Sequence, residues 1–122
     1  MLALLLMAAS PSQTIDDLMV KEGDSPQVIV SKVMGGYDLC LFSATRRYAL
    51  NSNETAVVVV DSALGSCSSW DQTYRNSIFH MTPSLPPNRI DELIDRYKST
   101  RRLQLMAFVL DTRSKKRASR KN

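Results

Sequence analysis

A small all-α bundle of three to four helices, with one disulfide between the two central helices, is the fold that the sequence predicts. Three observations predict it. Apolar residues recur at i, i+3, i+4, i+7 spacing through most of the chain. Capping and turn residues separate the segments that carry them. The two cysteines, Cys40 and Cys67, fall on the apolar stripes of consecutive segments.

Taken in order, the chain begins with an apolar run over residues 1–9, within the range of about 7 to 15 residues for the core of a secretory signal, followed by small residues at Ser10 and Ser12. This predicts a short signal segment over 1–12, although no Lys or Arg precedes the run. Thr14 to Val20 then offers a Thr cap with Asp16 and Asp17 in the first turn, a short helix at best before Gly23. Ser25-Pro26 is a stronger start, because Ser caps free amides and Pro is tolerated at the first helical position. From there Val30, Val33, Met34, Tyr37, Cys40, Leu41, Ala44 and Tyr48 form one stripe. Gly35-Gly36 interrupts it, which is compatible with a kink, a close helix contact or a break into strand plus helix.

A turn at Asn51-Ser-Asn-Glu54 precedes a second long stripe, Val57, Val60, Ala63, Leu64, Cys67, Trp70, Tyr74, Ile78 and Met81, which predicts one helix of more than six turns. Pro83-Ser-Leu-Pro-Pro87 ends it. Asn88 is placed to cap a last helix with Ile90, Leu93, Ile94 and Tyr97 on its apolar face. Leu103 to Leu110 continues that helix, while periodicity alone also fits an edge strand.

Cysteine placement tests this layout. An antiparallel hairpin turning near Ser52 sets Cys40 opposite position 63 or 64, and Cys67 lies three or four residues beyond, about 5 Å at 1.5 Å per residue. That is close to the Cα separation of roughly 4.4 to 6.8 Å that a disulfide spans. A disulfide also suits an exported chain, since oxidising compartments keep such bonds.

The pattern Tyr37-x-x-Cys40, Ala63-Leu64-x-x-Cys67 with Trp70 and Tyr74 after it, and a final helix ending Leu105-Met-Ala-x-Val-Leu-x-x-Arg113 resembles small exported two-cysteine α-helical proteins of unknown function from alphaproteobacteria. It covers residues 30 to 113. The resemblance implies export and a helical scaffold, and brings no activity, ligand or site.

Charge is unevenly placed. The 122 residues hold 16 Lys plus Arg against 12 Asp plus Glu, for a net +4. Six of the cations, Arg113, Lys115, Lys116, Arg117, Arg120 and Lys121, stand in the last ten residues with no acid among them. The expected organisation is therefore a single helical domain over 13–112 and a disordered basic tail over 113–122. Such a tail can hold an anionic envelope surface at about 1 kcal/mol per cation. It has no sequence readout, so no specific nucleic acid is expected.

Catalytic chemistry has little to build on. The one histidine, His80, has no nucleophile and acid at triad spacing. One His and two separated Cys are a poor start for zinc, and the acids at Asp16-Asp17 and Asp91-Glu92 suit helix starts. No enzyme, metal site or cofactor is expected. No stretch reaches about 18 to 20 consecutive apolar residues, so the chain is not expected to span a membrane. The reading is a small exported protein, periplasmic or secreted, with a non-catalytic binding or structural role. Its alternative is a cytosolic or nuclear nucleic-acid-associated protein using the basic tail.

Overall fold

A computed structural model describes residues 18–121, so the expected signal segment, and most of the expected first short helix, lie outside the described residues. Four helices are present there: α1 (Pro26–Asn51), α2 (Ala56–Ser66), α3 (Ser69–Met81) and α4 (Pro87–Lys121). No strand occurs among the described residues, so Leu103 to Leu110 is helix. The bundle runs up, down and up. α2 and α3 together form the descending leg, antiparallel to α1, and α4 returns parallel to α1.

Local chemistry starts α1 as the sequence suggests. The Ser25 hydroxyl accepts from the Val28 amide at 3.2 Å, with Pro26 in the first turn. Gly35 and Gly36 do not break the helix. They are sites of close approach: a Cβ on Gly36 would collide with the Trp70 indole, and one on Gly35 would lie 2.7 Å from Leu18. Of the three readings open for this pair, close contact is the one observed.

The long second helix is corrected. It divides at Cys67-Ser68, where amides reach back three residues, Ser68 to Gly65 at 3.2 Å and Trp70 to Cys67 at 3.0 Å. Gly65, Ser66, Ser68 and Ser69 are weak helix formers, which makes an interruption cheap. The apolar stripe keeps its 3–4 spacing across the break, so periodicity alone merged the two helices. Val57 also departs from expectation and faces solvent, while Val59, Val60 and Ala63 are buried.

α4 begins one residue before Asn88, with Pro87 at its first position and the amides of Arg89 and Ile90 bonded to Pro86 O. Proline lacks only an amide that a helix start leaves unused. At 35 residues α4 extends about 52 Å at 1.5 Å per residue. Its inward stripe is Ile90, Ile94, Tyr97, Leu105 and Val109.

The core lies where α1 meets the other three helices, around Tyr37, Leu41, Val60, Cys67, Leu105 and Val109. By length and average composition α1 is apolar enough to cross a membrane, which a count of consecutive apolar residues does not register. Here its apolar stripe packs against protein, and Asp38 on it is 2% exposed.

Cys40 and Cys67 are at disulfide distance, with Cα atoms 6.0 Å apart, and tie the middle of α1 to the hinge of the descending leg. The hairpin offset argued from sequence places them correctly.

Candidate functional site

Two groups of polar side chains stand out, and they differ in how their charges are matched. The first is a layer across the middle of the bundle. Asp38 projects from the core stripe of α1 and receives two bonds from Arg101 of α4, Nε at 2.6 Å and an Nη at 3.0 Å. Tyr97 donates its hydroxyl to the same carboxylate. Next to it Tyr37 donates to Asp71, which also takes a 3.1 Å bond from Lys98. The aromatic rings pack as a sheath, Tyr37 to Tyr97 at 5.0 Å and Tyr74 to Tyr97 at 5.3 Å, with Arg101 above the Tyr97 ring at 4.8 Å.

Burial, reinforced by the neighbouring carboxylates, pushes the Tyr37 and Tyr97 phenols well above the ordinary tyrosine range. Burial pulls the Arg101 guanidinium down, but its bonds to Asp38 outweigh this and leave it raised. Every carboxylate in this layer is engaged, so it locks α4 to α1 and α3 in one register. Among the described residues, no three of His, Cys, Asp and Glu cluster as metal ligands.

The second group is the basic end. Residues 113–121 are helical and continue α4, which corrects the expected disordered tail. The physical reason is across the bundle. α1 ends with carbonyls that have no partner within the helix, and with no basic residue in its own last turn. Arg113 reaches over to donate to Ala49 O at 3.0 Å, Ser52 O at 2.9 Å and Glu54 O at 2.6 Å. Lys116 donates to Leu50 O at 2.7 Å. Two of the six expected surface-binding cations thus cap α1, where positive charge also suits the helix dipole.

The other four are placed differently. Lys115 pairs with Asp111 at 3.1 Å on the same helix face, an exposed pair of little energetic weight. Arg117 and Arg120 are exposed and make no ion pair or hydrogen bond among the described residues. Lys121 is the last helical residue.

Beside them lies a groove of about 620 Å³ between the ends of α1 and α4, lined by Arg46, Leu50, Phe108, Asp111, Lys115, Lys116 and Arg120, with Thr112 and Ser119. Arg46 was missed because it stands outside the basic run, on α1. Asp38 and Arg101 were missed as a pair, yet both interrupt apolar stripes, Asp38 before Leu41 and Arg101 between Tyr97 and Leu105. A charge at a core position on each of two helices is the signal that points to such a pair.

No protein-family model matches the chain, and neither does any curated protein or solved structure.

Proposed function

We propose that the chain is a small exported protein, periplasmic or secreted, with a signal peptide and a non-catalytic binding or structural role in the cell envelope. The observation that carries this reading is the Cys40–Cys67 pair, at bonding distance inside the bundle. Such bonds persist in oxidising compartments and are rare in the cytosol. In this reading the disulfide holds a rigid scaffold, and the basic end attaches it to an anionic surface through Lys115, Arg117 and Arg120.

Intact mass of the native protein before and after reduction tests the proposal. A gain of two hydrogens on reduction, with residues 1–12 removed, is the expected result. Two free thiols on a chain that still begins at Met1 would contradict it.

Arg117 and Arg120, unpaired among the described residues, also favour a second reading, a cytosolic or nuclear nucleic-acid-associated protein. That reading requires duplex binding that weakens steeply with salt, and an intact Met1.

A further inference from the structure

The groove between the ends of α1 and α4 combines two properties that a merely solvated tail does not need. Its rim is cationic: Arg46 from α1 faces Lys115, Lys116 and Arg120 from α4, against one carboxylate among the described residues, Asp111. Lys116 is held on Leu50 O and Lys115 on Asp111, whereas Arg46 and Arg120 have no bonded partner among the described residues. Its floor is apolar, made by Leu50 and Phe108, both half-buried. Phe108 is fixed edge-on against Phe42, ring centres 5.1 Å apart, so the floor is preformed.

Like charges gathered on two helices repel until an anion sits between them. Arginine forks match phosphate oxygens in particular. The groove volume falls within the usual span of small-molecule sites, roughly 300 to 1,000 Å³. We propose that this groove binds a phosphoester, with the phosphate between Arg46 and Arg120 and an attached apolar chain along Leu50 and Phe108. The inference rests on the reading of the basic end as an anion-binding surface, and narrows it to one pocket and one ligand chemistry.

Octyl phosphate is the direct probe, titrated into the full chain and followed by amide chemical shifts, with inorganic phosphate in parallel. Arg46→Gln and Arg117→Gln are the paired variants. Both arginines are exposed and have no bonded partner among the described residues, so neither change disturbs the fold, and of the two only Arg46 lines this groove. The expected result is saturable octyl phosphate binding, tighter than inorganic phosphate, about fivefold weaker in Arg46→Gln and within twofold of the parent in Arg117→Gln. No saturable binding, equal losses in the two variants, or no preference for the octyl chain would overturn the proposal.

Vesicles of phosphatidylglycerol and phosphatidylcholine distinguish the sources of the phosphoester. Vesicle binding displaced by octyl phosphate supports a lipid headgroup, and octyl phosphate binding without vesicle binding supports a free phosphoester. Vesicle retention lost when Lys115, Arg117 and Arg120 are replaced together, with vesicle retention and octyl phosphate binding both insensitive to Arg46→Gln, would overturn the groove and leave the surface-attachment reading standing.

Discussion

The middle of the bundle and its basic end use the same side chains to different ends. In the middle, Arg101 and Lys98 each meet a carboxylate, and tyrosine hydroxyls complete the shell around Asp38 and Asp71. At the end, Arg113 and Lys116 meet only backbone carbonyls, and Arg117 and Arg120 have no bonded partner among the described residues. A cation matched by a buried acid fixes register. One matched by a helix terminus seals an end, and one left unmatched is available to a ligand.

The largest test of this contrast is in the middle. Arg101→Leu leaves the Asp38 carboxylate buried without its ion partner and should cost about 3 to 5 kcal/mol in a urea melt. The double variant Asp38→Leu with Arg101→Leu should recover most of that loss, since no orphan charge remains. Replacing Cys40 and Cys67 by Ala should cost about 3 to 4 kcal/mol, from the entropy of a 27-residue loop in the unfolded chain. No comparable loss is expected from Arg117→Ala, because surface changes away from such features stay within about 0.5 kcal/mol.

The helices and the disulfide were legible because burial writes a period into sequence. Val33, Tyr37, Leu41 and Ala44 keep that period, and so do Ile90, Ile94, Tyr97, Leu105 and Val109. The break at Cys67-Ser68 was hidden because a turn of i to i+3 bonds leaves the stripe nearly in phase. The basic end was hidden for another reason. A run of cations without apolar anchors reads as solvated, yet the carbonyls that Arg113 engages belong to residues 59 to 64 positions earlier. Capping between helices distant in sequence leaves no local pattern. Asp38 and Arg101 were half legible, as charges misplaced on apolar stripes.

Alkaline pH sharpens the same contrast. Burial, with the nearby carboxylates, raises the Tyr37 and Tyr97 pKa above that of the unfolded chain, and burial also raises Tyr74. Their contribution is complete below the unfolded tyrosine value of about 10 and declines as pH rises above it. Hydrogen bonds from Ser66 and Arg47 instead lower Tyr48. A spectrophotometric titration should therefore show Tyr48 ionising first, and Tyr37 and Tyr97 ionising only with loss of helix. Four tyrosines titrating together in the folded protein would contradict the closed middle layer.

A gain in stability is expected at Thr45, whose hydroxyl is fully buried without a hydrogen-bond partner among the described residues. Thr45→Val keeps the shape, removes the unsatisfied group and should stabilise by about 1 kcal/mol in the same urea melt.

The division of the basic end into capping and unmatched cations is tested most directly by the unfolding free energies of two truncated chains. A chain ending at Lys116 keeps both caps on α1 and should lie within about 0.5 kcal/mol of the full chain. One ending at Thr112 loses Arg113 and Lys116, and with them four charged bonds to α1 and its following turn; it should be less stable by about 2 kcal/mol. Equal stability of the two would mean that the whole of 113–122 is a detachable tail, and would contradict the account.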